Sequence, residues 1–297
     1  MEVIVPANNK GGVGKTSISA ILADYFSKVL KKKTLVIDLD PQCNYSQRAL
    51  QMEIDPSYEE GHRPPIHPDY EESDLDWDGR SSIADIFLYP KKGIVPYPTM
   101  NEYLDVAPAH AANLLEVEQF HQDKVVEHIH NRFARFLALP DVQSEFDYVV
   151  IDTAPSKGSL TRSAMRAATH IIIPTVMEDK PIKGVFGMLQ LWMQEKSRRN
   201  DNNPLNLLGI LPNMFDARTT LHNDLYNSLK DNHEISDFVM PCKLSRRIQY
   251  AENDSDNAMP RSLFDLPNTN KAKQEVMALC EYVMEKIQNS VGNLEIV

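Results

Sequence analysis

The sequence predicts an α/β protein with a doubly wound, mostly parallel sheet that is flanked by helices. Short apolar, β-branched runs alternate with segments whose apolar residues recur at helical spacing. Such runs are typical of strands that are buried on both faces. The first run is residues 3–5, and we expect seven or eight strands in a single domain spanning residues 1–297. Further strands are expected within residues 34–42, 104–110, 146–155, 171–175, 207–216 and 238–241.

A glycine-rich turn lies between the first strand and the first helix. Residues 8–17 read NNKGGVGKTS, and their glycines let the backbone curl so that successive N–H groups can point at phosphate oxygens. The positive end of the following helix lies under the same anion. Lys15 supplies a charge for the β- and γ-phosphates, and the Thr16 hydroxyl is placed to ligate magnesium. The strand–loop–helix context therefore predicts a nucleotide site.

Carboxylates follow two of the predicted strands. Asp38 and Asp40 come at the end of the strand within residues 34–42, and Asp152 ends the strand within residues 146–155. In a doubly wound sheet, ligands bind beyond the carboxyl ends of the strands, so these acids are expected to face the glycine-rich loop. Asp152 is suited to holding a magnesium-bound water.

The run KGGVGKT at residues 10–16 resembles the glycine-rich loop of the ParA/MinD family of deviant Walker ATPases. The run IDLDPQ at residues 37–42 is similar to the second motif of that family, and the resemblance covers residues 1–50 and about 103–290. It implies ATP and Mg²⁺ as cofactors and a homodimer that encloses two ATP molecules. It also implies that Lys10 reaches the nucleotide of the partner subunit.

The resemblance further implies a role for each site residue. Asp38 belongs to the magnesium and lysine network, and Asp40 orients the attacking water. Asn213 recognises the adenine edge, although an Asx-turn is an alternative for this asparagine. The expected catalytic residues are Lys10, Lys15 and Asp40; the expected nucleotide-binding residues are Lys10, Gly11, Gly12, Val13, Gly14, Lys15, Thr16, Ser17 and Asn213; the expected metal ligands are Thr16, Asp38 and Asp152.

One departure from the family pattern concerns Lys157. The family usually has Asp-x-Pro-Pro after this strand, followed by a small and an apolar residue, whereas residues 152–158 here read DTAPSKG. Lys157 is interpreted as a loop lysine, and a contact with phosphate or with the partner subunit is the alternative.

Residues 53–78 differ sharply in composition from the rest of the chain. They contain ten acidic residues, four prolines and Arg63 as the single basic residue. Without them, 30 basic and 32 acidic residues remain, so most of the formal charge of −11 is local. Such a segment buries little apolar surface, and we expect a solvated, exposed insertion, with partner docking as the alternative.

The overall composition indicates a cytoplasmic protein. The three cysteines have no paired spacing, which argues against a disulfide framework and against a zinc site. The first strand begins at the second residue, which leaves no room for a signal peptide, and no apolar run approaches the length of a membrane span.

The expected function is that of a ParA-type ATPase that positions or segregates a cargo. By the resemblance, its ATP dimer binds non-specific DNA, and a ParB-like adaptor stimulates slow hydrolysis, which implies association with the nucleoid. The candidate DNA-binding residues are basic ones that follow the last strand, namely Lys243, Arg246, Arg247 and Arg261.

Two other functions are alternatives to this expectation. A MinD-like membrane-cycling ATPase would end in a basic amphipathic helix, but the last helix here mixes lysines with glutamates, so no stable membrane association is expected. An iron–sulfur carrier needs interface cysteines, and Cys43 and Cys242 lack the required pairing.

Overall fold

The structure is a computed structural model. It describes residues 1–59, 61–74, 76–89, 93–119, 123–200, 203–254 and 262–292, without the side chains of residues 123–128 and 291–292. The chain divides into two compact units. The first unit contains Met1–Val3 and Phe26–Ala167, and the second contains Ile4–Tyr25 and Ala168–Val297.

The predicted fold class is confirmed, because seven strands in the described part of the chain belong to a mostly parallel sheet flanked by helices. The strands of this sheet are β1 (Glu2–Pro6), β2 (Thr34–Leu39), β5 (Tyr97–Pro98), β6 (Leu104–Ala107), β7 (Tyr148–Thr153), β8 (His170–Val176) and β9 (Asn206–Asn213). In the first unit the order is β5-β6-β2-β7, and only β5 is antiparallel to its neighbour. In the second unit the order is β1-β8-β9, all parallel.

The helices follow the strands as the alternating pattern predicts. The first helix is followed directly by a π-helical turn at Tyr25–Val29. The helices of the first unit are α2 (Asn44–Ala49), α3 (Asp85–Leu88), α4 (Ala111–Glu118), α5 (Asp123–Leu137), α6 (Pro140–Glu145) and α7 (Ser159–Ala167). Those of the second unit are α1 (Lys15–Asp24), α8 (Asp179–Lys196), α9 (Thr220–Asp231), α10 (Ile248–Asn253) and α11 (Lys271–Gly292). None of the helices in the described residues is long and apolar enough to span a membrane.

The central strands are buried on both faces, as their continuous apolar runs require. Every residue of β2 and of β8 is buried, and β7 is buried from its second residue onward. Because parallel strands end at the same edge, the polar residues that end β2 and β7 lie together within the first unit.

The strand predicted at residues 238–241 is wrong. Phe238 belongs to a 3₁₀ turn, Ser236–Phe238, and Val239 alone forms a bridge, to Ile210. The hydrogen bond from Met240 N to Ile210 O, 2.9 Å, is followed by Pro241, which has no N–H with which to continue a ladder.

The acidic segment, residues 53–78, is only partly the solvated insertion that its composition predicts. Its first half contains a two-stranded hairpin, β3 (Glu53–Ile54) with β4 (His62–Arg63), and both Asp55 and His67 are buried. The expectation is wrong for this part of the segment because groups outside the segment supply hydrogen-bond partners for its buried polar atoms. His67 Nε2 lies 3.1 Å from Pro96 O, and the Tyr97 hydroxyl donates to Pro65 O at 2.8 Å. The acidic residues at 69, 71, 72, 74, 76 and 78 are exposed, as predicted.

Candidate functional site

The glycine-rich loop, residues 8–17, joins β1 to α1 in the second unit. Gly12 and Gly14 have φ angles of +71° and +84°, a region that favours glycine. A Cβ built on Gly11 or Gly12 would meet no atom within 4 Å, so this side of the loop is open. Helix α1 begins at Lys15, and its cap residue Gly14 offers no side chain to the first N–H groups. The loop therefore fits a phosphate group, which those N–H groups can bind.

The front of the loop is fixed by an asparagine. Asn8 is 1% exposed, donates from Nδ2 to Pro174 O at 2.7 Å, and accepts from Lys10 N at 3.0 Å. A Cβ on Gly184 of α8 would lie 2.8 Å from Asn8 Oδ1 and from Lys10 Cγ, so α8 approaches the loop closely where Lys10 begins.

The two lysines of the loop are differently placed. Lys15 is 6% exposed, and its Nζ donates to Lys10 O at 3.3 Å, so its charge lies over the loop backbone. Lys10 is half-buried at the front of the loop. The buried amine suits a fixed contact with a bound anion.

Asn213, at the end of β9, holds the glycine-rich loop from a distance of 200 residues in the chain. Its Nδ2 donates to Val13 O at 2.9 Å, and its Oδ1 accepts from Met214 N at 2.9 Å. A Cβ on Gly14 would lie 2.3 Å from Nδ2, so this contact requires glycine at position 14. Recognition of adenine by Asn213 stays a prediction, and the structure adds a loop-anchoring role that the motif does not signal.

A contact at the first turn of α1 had no signal in the sequence. Ser17 Oγ donates to Asp254 Oδ2 at 2.6 Å, across 237 residues of chain. The contact brings a carboxylate to the first turn of α1, directly after the glycine-rich loop. Thr16, the predicted magnesium ligand, occupies the same turn and is half-buried.

Asp38 is buried in the first unit and orders the turn that follows β2. Its carboxylate accepts from Ser46 N at 2.8 Å, from Ser46 Oγ at 2.7 Å and from Asp40 N at 3.0 Å. Burial raises the pKa of Asp38 to about 6, although the hydrogen bonds from Ser46 oppose the rise. Asp40 is 5% exposed and accepts from Gln42 N at 3.0 Å. Ser46 is a site residue that sequence reasoning missed, because no local motif marks it.

The sheet brings two of the predicted metal ligands together. Asp38 and Asp152 are direct partners in the parallel pairing of β2 with β7, and both are fully buried. Neighbouring residues in a parallel register project their side chains to the same face. Two adjacent carboxylates at a strand end fit the oxygen ligands that Mg²⁺ prefers. Lys157, a few residues beyond, is exposed, and its role stays a prediction.

The four candidate DNA-binding residues do not share one environment. Lys243 Nζ lies 4.1 Å from the ring centroid of Phe215, and Arg247 Nη2 forms a 2.6 Å ion pair with Glu275 Oε1. Arg246 is exposed, whereas Arg261 lies outside the described residues.

The fold and the glycine-rich loop with its two lysines define the class of protein, a ParA-type P-loop ATPase with a deviant Walker motif. A family model described as an AAA domain matches residues 1–206, so the chain belongs to that family. It is 27% identical to the chromosome partitioning protein ParA of Myxococcus xanthus over 96% of this chain and 88% of that protein. It is 27% identical to the chromosome-partitioning ATPase Soj of Thermus thermophilus over 97% of each chain.

A solved structure shows the same fold. It is a plasmid partition protein of Borrelia burgdorferi bound to AMPPNP, which superposes with a TM-score of 0.68 at 20% identity and covers 96% of this chain and 99% of that one. The family model and these relatives support a P-loop ATPase of the ParA type, and the solved structure supports the fold.

Proposed function

We propose that this chain binds MgATP in its glycine-rich loop, hydrolyses ATP slowly, and uses the ATP-bound homodimer to position a cargo on DNA. The observation that carries the proposal is the geometry of residues 8–17. These residues combine two positive-φ glycines, a helix start without a side-chain cap and a buried lysine. That combination suits the phosphates of a nucleotide.

Each polar side chain has a proposed task. Lys15 neutralises the β- and γ-phosphates, and Thr16 supplies a hydroxyl ligand for the metal. Asp38 and Asp152 supply carboxylates toward the same ion, which when bound offsets the charge that develops on the phosphoryl oxygens. Asp40 holds the attacking water in place. Asn213 keeps the loop in shape through Val13 and reads the adenine edge.

The second lysine carries the proposal of dimerisation. Lys15 already covers the loop from its own chain, and Lys10 begins at the front of the loop, where Asn8 holds its backbone N–H. We assign Lys10 to the nucleotide of the partner subunit. ATP thereby becomes part of the contact between two copies of the chain.

DNA binding rests on the basic residues after β9. Among the described candidates Arg246 is exposed, whereas Lys243 lies over the Phe215 ring and Arg247 is paired with Glu275. We propose that the dimer doubles the number of phosphate contacts, so that ATP switches on non-specific binding to the nucleoid. A ParB-like adaptor then stimulates hydrolysis and release. Helix α11 buries Val276, Leu279 and Ile287, which supports core packing rather than a membrane-binding role for this helix.

The proposal is tested with three alanine variants that separate binding, dimerisation and hydrolysis. Lys15→Ala is expected to abolish ATP binding in calorimetry, because the buried cation of the loop is lost. Lys10→Ala is expected to bind ATP but to stay monomeric in light scattering. Asp40→Ala is expected to bind ATP and dimerise without turnover. Normal ATP affinity in Lys15→Ala would contradict ATP binding in the glycine-rich loop. A normal ATP dimer in Lys10→Ala would contradict the proposed contact of Lys10 with the nucleotide of the partner subunit.

DNA binding is tested separately with Arg246→Glu, and Arg218→Glu serves as an exposed control in the same unit. Binding to random duplex is measured against salt, with ATP and without. The expected result is loss of ATP-dependent binding in Arg246→Glu while dimerisation is retained. Equal binding by both variants would contradict DNA binding through Arg246 and would place the DNA-binding surface at other residues.

A further inference from the structure

The acidic segment forms one wall of a groove of about 700 Å³ in the first unit. The groove lies outside the phosphate loop and outside the carboxylate pair, and none of the roles proposed above uses it. We call it the acidic groove and define it by six of the residues that line it, Asp55, Arg63, Asp76, Trp77, Ser82 and Tyr89.

The acidic groove is held in shape by contacts among its own residues. Arg63 and Arg80 both bind Glu53 Oε2, at 3.1 and 2.8 Å, and Arg80 also donates to Pro64 O. Trp77 Nε1 donates to Arg80 O at 2.7 Å. The two arginines therefore hold the wall together through Glu53, whose single charge offsets one of theirs.

The lining of the acidic groove carries a surplus of negative charge. Four acidic residues, Asp55, Asp76, Asp78 and Asp85, line it together with two arginines, Arg63 and Arg80. Asp76 and Asp78 are exposed and form its rim, and Asp78 Oδ1 accepts from Arg80 N at 3.3 Å. The surplus carboxylates favour a cationic ligand.

A second observation, independent of charge, points to a ligand. Ser82 lines the acidic groove and is 3% exposed. Its Oγ is buried and has no hydrogen-bond partner among the described residues, although its backbone N–H donates to Asp85 Oδ2 at 3.2 Å. A buried hydroxyl without a partner is unfavourable and uncommon in folded proteins. A peptide N–H or C=O in the groove would provide the missing hydrogen bond.

We propose that the acidic groove binds an extended basic segment of a protein partner. Lysine and arginine side chains have long apolar stems, which can lie against Trp77 and Tyr89 while their charged ends reach the acidic rim. The peptide backbone would hydrogen-bond to Ser82. A phosphate-bearing ligand fits worse, because Asp76 and Asp78 oppose its charge.

The charge component is tested by fluorescence anisotropy with the full chain. The probe is a fluorescein-labelled peptide of alternating arginine and alanine. Asp76→Asn/Asp78→Asn is compared with Asp224→Asn/Asp231→Asn, a control that removes the same number of charges from exposed positions of the second unit. The expected result is about tenfold weaker binding in the first variant and at most about a twofold change in the control. An equal loss in both variants would show attraction to net charge only and would overturn the proposal.

The buried hydroxyl gives a test that charge does not influence. Since Ser82 Oγ makes no hydrogen bond in the described structure, Ser82→Ala should leave the melting temperature unchanged. It should weaken the affinity for the peptide several-fold. Unchanged peptide affinity in this variant contradicts the assigned contact. Spermine serves as a free cation without a backbone, and spermine binding that is equally sensitive to Ser82→Ala would overturn the peptide as the occupant. A lowered melting temperature with unchanged affinity would make Ser82 a structural residue and would also count against the proposal.

Discussion

The glycine-rich loop and the acidic segment differ in how their conformations are determined. In the loop, glycines and local hydrogen bonds, such as that from Lys10 N to Asn8 Oδ1, shape the turn itself, and bonds with Pro174 and Asn213 anchor it. In the acidic segment, the key partners are 29 to 55 residues away, at Pro96 and His110. A local motif can therefore be recognised by spacing, whereas a segment ordered by distant groups cannot be judged by its composition.

The largest expected effect is at Gly14. Alanine there would have to adopt a φ of +84°, and its Cβ would lie 2.3 Å from Asn213 Nδ2. The strain and the displaced asparagine should weaken ATP binding by about 100-fold in calorimetry.

Gly79→Ala, directly after the acidic segment, is the matched control. It meets a similar constraint, with a φ of +75° and the Tyr70 ring 2.6 Å from the new Cβ. Gly79 is far from the glycine-rich loop in sequence and belongs to the first unit, whereas the loop belongs to the second. It should lower the melting temperature and leave ATP affinity unchanged. Comparable ATP affinities in the two variants would mean that the loop does not depend on its glycine geometry.

The second effect concerns the arginine that organises the acidic segment. Arg80→Ala removes an ion pair with Glu53 and a hydrogen bond to Pro64 O, and it should cost about 2 kcal/mol of stability. Urea unfolding measures the change. Arg218→Ala, which breaks an exposed pair with Asp216, should leave the urea midpoint almost unchanged. A small effect of Arg80→Ala would contradict this role of Arg80 and would favour the solvated insertion that the composition predicts.

Much of the fold and part of the site could be predicted from the sequence, for identifiable physical reasons. The buried strands are continuous apolar runs, and the glycine-rich loop is recognisable from the spacing of its glycines and lysines. Ser46, Asp254 and the contact of Asn213 with Val13 could not be predicted, since each depends on tertiary pairing that leaves no local pattern. The strand expected at residues 238–241 was wrong because an apolar run does not reveal that Pro241 ends the pairing.

The third effect is a pH dependence within the acidic segment. Burial raises the pKa of Asp55, but hydrogen bonds from Ser57 and His110 outweigh burial and lower the pKa from 3.8 to about 2. A depressed pKa stabilises the fold above pH 3.8, and this contribution is lost as the pH falls toward about 2. The difference in unfolding free energy between wild type and Asp55→Asn should therefore be constant near neutral pH and shrink through that acidic range.

The measurement is a series of urea midpoints for both proteins across this pH range. Asn keeps an oxygen that can accept from Ser57, so the neutral-pH difference should be smaller than that of Arg80→Ala. A difference that does not change with pH would show that Asp55 acts through shape rather than charge.

The smallest expected effect lies at the loop, where Asp254 meets Ser17. The 2.6 Å hydrogen bond places a negative charge at the first turn of α1, close to where the proposed phosphates bind. Asp254→Asn keeps a hydrogen-bond acceptor for Ser17 but removes that charge, and the reduced repulsion should tighten ATP binding about threefold. Asp237→Asn, an exposed change in the same unit, controls for net charge.

The salt dependence separates a local contact from a general field. Repulsion over a few ångströms persists at physiological salt, whereas longer-range repulsion is largely screened beyond about 8–10 Å. The gain in Asp254→Asn should therefore survive added salt, and any gain in Asp237→Asn should disappear. Unchanged or weaker ATP binding in Asp254→Asn would mean that the carboxylate supports the loop, as Asn213 does, rather than competing with the nucleotide.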